Sequence, residues 1–147
     1  MKEMMKNTGI LLVITILSGL LLGLVYQITK DPIAAQEQKA KQEACKNVFE
    51  DAATFEQIDV AVTDQAAFDA EGYSQESIDE VMEAKDASGN MLGYVITVTS
   101  KEGYGGDIQF AIGIRSDGTV NGISLLAISE TAGLGMRADE VLTPQFA

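Results

Sequence analysis

Twenty uncharged residues, Gly9 to Ile28, stand between a short basic lead and a polar stretch that begins at Lys30. As a helix rising ~1.5 Å per residue, such a run is ~30 Å long, about one hydrocarbon core. A cleaved signal peptide is the other reading of an apolar amino terminus. Its core is usually ~7 to 15 residues, and Ile33-Ala34-Ala35 makes a poor cleavage site. The pattern therefore predicts a retained transmembrane anchor over residues 1–29. From Asp31 the chain turns polar, with Pro32 placed where a helix could begin again and Ala, Gln, Glu and Lys filling most of the positions after it. This predicts a helical stalk over 30–55, with Val48, Phe49 and Phe55 starting a domain core. Cys45 is read as an ordinary position of that helix.

Residues 56–86 are acidic, with Gly72-Tyr73-Ser74 as a turn and Ile78, Val81 and Met82 as the few buried candidates. Strand patterning begins after Gly89-Asn90. Leu92, Tyr94, Ile96 and Val98 alternate with Gly93, Val95, Thr97 and Thr99. A second strand has Ile108, Phe110, Ile112 and Ile114 alternating with Gln109, Ala111, Gly113 and Arg115. Asp117-Gly118 then turns the chain into Val120 to Ile128. The expected product is an antiparallel meander, and the fold class is α+β. Ala111 and Gly113 fall on the face opposite the isoleucines, which leaves room there for a helix or a ligand. Met136 to Leu142 reads as a short helix. On sequence alone, Ser129 or Thr131 is a candidate for its amino-terminal cap.

Within the apolar run, Thr15, Gly19 and Gly23 recur every fourth residue and share one helix face, where a second membrane helix could approach closely. Glycine is also simply common in membrane helices, so the spacing admits both readings. Charge alone orients the helix weakly: Lys2 and Lys6 lie on one side, and Lys30, Lys39, Lys41 and Lys46 on the other.

Charge and composition remove several chemistries. The net charge of −12 is unevenly placed, because residues 47–147 hold four bases against eighteen acids. A surface that acidic repels phosphate backbones, which argues against nucleic-acid binding. The acids lack the spacing of a calcium loop. There is no histidine and one cysteine. Histidine-ligated zinc or haem, iron–sulfur clusters held wholly by this chain, and Ser-His-Asp catalysis are excluded. Electron transfer here would need a cofactor that takes no protein metal ligand, and flavin meets that condition.

The most informative stretch runs from Gly103 to Gly135. Its Gly103-Tyr104-Gly105-Gly106 opening, its Asp117-Gly118 turn and its closing Glu130-Thr131-Ala132-Gly133-Leu134-Gly135 resemble the FMN-binding domain of the G subunit of Rnf-type electron-transport complexes. The C subunit of the sodium-translocating quinone reductase is related to that family. One departure is Ala132, which stands where most relatives have proline. The resemblance implies an extracytoplasmic FMN-binding domain over 56–147, with the amino terminus inside, in an electron-relay subunit of a membrane ferredoxin:NAD oxidoreductase complex coupled to sodium or proton movement. By position in the motif, Glu130, Thr131, Leu134 and Gly135 would line the isoalloxazine, with Tyr104 and Gly105 as a further wall. Other subunits would meet the Thr15/Gly19/Gly23 face.

In this family the FMN is joined by a phosphoester to the last threonine of a Ser/Thr-Gly-Ala-Thr motif. That threonine is expected beyond Ala147, with the part of the domain that completes the sheet. Ala52-Ala53-Thr54 lacks the glycine of that motif. Without covalent attachment, only Lys85, Lys101, Arg115 and Arg137 could form a phosphate clamp. A membrane-anchored extracytoplasmic binding module without cofactor fits the same helix and strands and stays open at this point. A pilin-like subunit fits poorly, because Gly9 to Ile28 contains no acid.

Overall fold

The computed structural model describes residues 1–59 and 69–146, so part of the acidic 56–86 stretch lies outside the described residues. Its contacts divide the chain into two compact units, residues 1–39 and 40–147.

The first unit belongs to helix α1, Lys2–Val48. Every large apolar side chain from Ile10 to Ile28 is at least half exposed, so this helix buries none of its membrane-length apolar surface within the chain. It is the one helix, among the described residues, long and apolar enough to cross a membrane. In that setting the backbone satisfies its own hydrogen bonds. Hydroxyls in the helix do likewise: Thr15 Oγ1 donates to the Leu11 carbonyl and Thr29 Oγ1 to that of Val25, each at 2.9 Å. Pro32 does not restart the helix, as the sequence suggested, but sits inside it. The bond that a proline cannot make is the one to the carbonyl four residues earlier, here Ile28. That carbonyl lies at the end of the apolar run, where water can reach it.

The second unit is a five-stranded antiparallel sheet with strands in chain order. The strands are β1 (Thr54–Gln57), β2 (Glu76–Lys85), β3 (Met91–Ser100), β4 (Ile108–Arg115) and β5 (Val120–Ala127). A 3-10 turn, Gly135–Arg137, a one-turn helix α2, Ala138–Val141, and a second 3-10 turn, Thr143–Phe146, follow. The turns carry the chemistry expected of them. Gly118 has φ +86°, and the Asp117 carboxylate accepts the Thr119 N–H at 2.9 Å. Between β2 and β3, Asp86 Oδ1 accepts the Ser88 and Asn90 N–H groups at 2.8 and 2.9 Å.

The last turn of α1 packs on the sheet. Ala44, Cys45, Val48, Phe49 and Ala52 form one core with Ala84, Val95 and Ala111. Val48 and Phe49 are each 1% exposed. Close approach depends on a row of small residues beneath them, with Val95 paired to Gly113 and Gly113 to Gly122. A Cβ at Gly113 would come within 3.0 Å of Val48 Cβ and 3.1 Å of the Phe49 ring. The space opposite the isoleucines is thus filled by the end of α1. Polar contacts fix the junction. Lys41 Nζ pairs with Glu80 at 2.9 Å, Asn47 donates to Ser124 at 3.4 Å, and Asn121 donates to the Val48 carbonyl.

The sequence pattern does not disclose strands β1 and β2. In β2 the register shifts between Ile78 and Glu80, so Asp79 is an extra residue that breaks the two-residue period. Its carboxylate accepts from Gln109 Nε2 at 2.8 Å and from the Thr99 hydroxyl, tying the bulge to β3 and β4.

Candidate functional site

The glycine-rich motifs meet at one end of the sheet, and strand register explains why. Ser100 at the end of β3 pairs with Ile108 at the start of β4, and Gln109 pairs with Ala127 at the end of β5. The loop at 101–107 and the segment leaving β5 therefore depart from the same edge. There the Gly105 N–H donates to Glu130 Oε1 at 3.2 Å. A Cβ at Gly105 would drive into the Ser129 carbonyl oxygen. One at Gly103 would clash with the Gly106 carbonyl and lie 2.9 Å from Glu130 Oε1. On the other side, a Cβ at Gly135 would sit 2.5 and 2.7 Å from Glu130 Cβ and Cγ. Contact between the loops thus requires glycine at 105, while Gly103 is held by the Gly106 carbonyl of its own loop as well as by Glu130, and Gly135 by Glu130 of its own segment.

Thr131 to Leu134 forms a turn closed by the Leu134 N–H to the Thr131 carbonyl at 3.1 Å, with Gly133 at φ +81° in its third position. Ala132 occupies the second position, where proline is favoured in turns of this kind. That is the physical reason a proline suits the motif and why alanine is tolerated. Around the Gly133 Cβ position nothing lies within 4 Å, so backbone here is open to close approach. The side chains at the loop tips are presented outward: Tyr104 is 95% exposed and Leu134 75%. Thr131 is exposed as well. The capping alternative fails, because neither the first 3-10 turn nor α2 has a side-chain cap, and Thr131 contributes its carbonyl instead.

Sequence reasoning missed the cavity beside these loops. The segment after Gly135 folds back over the isoleucine face of β4 and β5 and encloses about 230 Å³. Its walls are Ile108, Phe110, Ile123 and Leu125 from the sheet, with Leu142 and Phe146 opposite. Ile108 connects it to the motif, since its Cγ1 lies 3.0 Å from the Gly103 Cβ position. The alternation in β4 carried the signal for this face, but the strand pattern could not show what covers it.

The basic side chains do not gather into a phosphate clamp. Lys85 pairs with Glu56 and Glu83 at 2.7 and 3.4 Å, Arg115 donates to Asn121 at 2.6 Å, and Arg137 pairs with Glu140 at 3.2 Å. The Glu56 carboxylate, first, raises the Lys85 pKa. Cys45 is buried with its Sγ 3.7 Å from Met82 Sδ. Burial, with the Glu80 charge second, pushes its thiol up to about 11. A thiol in that state is a packing group rather than a nucleophile.

Comparison with known proteins agrees with this anatomy. Residues 1–48 match the RnfG N-terminal region and residues 103–146 match the FMN-binding domain, the stretch that contains both motif loops and the cavity. The G subunit of the Na(+)-translocating ferredoxin:NAD(+) oxidoreductase complex of Acetobacterium woodii is 30% identical over 99% of this chain and 70% of its own length. The chain belongs to the family of G subunits of ion-translocating oxidoreductase complexes. Another member, from Methanosarcina acetivorans, is 31% identical over 99% of this chain and 71% of its own length. A third, the G subunit of a proton-translocating ferredoxin:NAD(+) oxidoreductase complex of Clostridium ljungdahlii, is 28% identical over 84% of this chain and 57% of its own length. Membership of this family, with the apolar run of α1, makes this a membrane protein whose sheet unit is an FMN-binding domain. The cofactor-free binding module loses its footing accordingly.

Proposed function

We propose that this G-family subunit is an electron-relay flavoprotein of a membrane complex that transfers electrons between ferredoxin and NAD and couples the transfer to sodium or proton movement. The observation that carries this reading is the meeting of the 103–106 and 130–135 loops at one sheet end, inside the stretch matched to the FMN-binding domain. Bound FMN supplies the redox chemistry, accepting and releasing electrons singly. The protein's part is to hold and surround the ring. Open backbone at Gly133, the exposed Leu134 side chain and the Thr131 hydroxyl form one wall, and Tyr104 and Gly105 form the other, with Glu130 and Gly135 at their junction. These groups suit a flat, partly apolar ring that needs no metal ligand.

The scattered pairing of Lys85, Arg115 and Arg137 supports retention of FMN by a phosphoester rather than by ion pairing. The sheet unit faces the extracytoplasmic side, and the Thr15/Gly19/Gly23 face of α1 packs on a membrane helix of another subunit. Gly19 and Gly23 have open space where a Cβ would be, as such packing needs.

Leu134→Asp tests the site directly. Because Leu134 is 75% exposed, this variant unfolds at the wild-type temperature. It shifts the flavin's midpoint potential downward, since a carboxylate beside the ring disfavours added electrons. An unchanged potential in the folded variant would remove Leu134 from the flavin wall.

A further inference from the structure

We propose that Glu130 is a positioning residue, which sets the separation of the two walls of the flavin site without itself contacting the ring. This rests on the flavin reading above only for what the walls enclose; the clamp itself is a property of the chain.

Both ends of the Glu130 side chain are occupied by the protein. Its Oε1 accepts the Gly105 N–H and stands 2.9 Å from where a Cβ at Gly103 would lie, so the first loop closes around the carboxylate. Its Cβ and Cγ carry the second loop, because Gly135 lies so close that a methyl group there would overlap them. Glycine at 135 lets the second loop fold tightly against its own Glu130 side chain, and glycine at 103, already confined by the Gly106 carbonyl, leaves room for the carboxylate. The glycines that look suited to a flat ligand are thus used to grip Glu130, and the open backbone left for a ligand is at Gly133. The side chain is half-buried, whereas Tyr104, Thr131 and Leu134 are exposed. The division of labour follows: Glu130 joins the loops, and the exposed residues on either side face what lies between them.

Hydrogen exchange in the 103–106 segment of the full chain in detergent, with the flavin midpoint potential, tests the proposal on four variants. Glu130→Ala accelerates exchange in this segment about tenfold, the effect of losing one charge-assisted hydrogen bond, and moves the potential. Glu130→Gln, whose amide oxygen still accepts from Gly105, accelerates exchange less than Glu130→Ala does, and its potential rises because a negative charge near the ring is lost. Gly135→Ala displaces the Glu130 stem and accelerates exchange at 103–106 although the change is in the other loop. Glu130→Ala combined with Gly135→Ala exchanges no faster than Glu130→Ala alone. Unchanged exchange in folded Glu130→Ala overturns the clamp. Exchange in Glu130→Gln as fast as in Glu130→Ala overturns the hydrogen bond to Gly105 as the link between the loops. Wild-type protein without flavin defeats the flavin reading instead, and the exchange rates then judge the clamp by themselves.

Discussion

Cys45 shows how one residue changes meaning between sequence and structure. In the sequence it is one position in a polar helical stretch; in the fold it is 4% exposed between α1 and β2, with Met82 against its sulfur. Burial holds the thiol protonated to about 11 where a free thiol would ionise near 9.0. The folded state keeps the proton more tightly, so the contribution is fully present below pH 9 and is lost as pH rises from 9 to 11. At about 1.4 kcal/mol per unit, that loss is roughly 2 to 3 kcal/mol. Thermal unfolding of wild type against Cys45→Ser between about pH 8 and 11 measures it as a steeper decline in the wild type. Equal slopes would mean that the thiol ionises freely in the fold. Val48 and Phe49 were legible as core because they interrupt a polar run. Glu130 was legible as a motif position, but its grip on Gly105 depends on contact across 25 residues of chain, which no local pattern records.

Among the elements, β3 and β4 follow the alternation of their sequences, Asp117-Gly118 marks the hairpin into β5, and the β4–β5 ladder shifts register at Asn121 and Leu126. Strand β2 was hidden by its bulge at Asp79 and by acids such as Glu76, Glu80 and Glu83, which are half-buried and make polar contacts that a hydrophobicity pattern discounts. Helix α1 was legible in its apolar run but not in its continuity, because Pro32 reads as a restart. The small-residue face at Thr15, Gly19 and Gly23 belongs to this scale too. Thr15 spends its hydroxyl on Leu11, so packing rather than cross-helix hydrogen bonding would carry the contact. Replacing Gly19 and Gly23 together with Leu leaves membrane insertion intact and reduces co-purification of the other subunits severalfold. Undiminished co-purification would show that the partner uses another face.

At the scale of the whole molecule, fourteen excess negative charges on residues 47–147, the absence of histidine and a single buried cysteine leave few ways to carry electrons. The meander brings the two motif loops to one end of the sheet, beside an apolar cavity of about 230 Å³. That convergence comes from strand register, so the motifs were visible in the sequence and their adjacency was not. The most direct measurement is the intact mass of the natively expressed, membrane-extracted protein, taken together with in-gel flavin fluorescence after denaturation. A fluorescent band whose mass exceeds that of the polypeptide by one FMN esterified with loss of water is the predicted result. A dark band, with no mass beyond the polypeptide, would contradict the covalent flavoprotein relay.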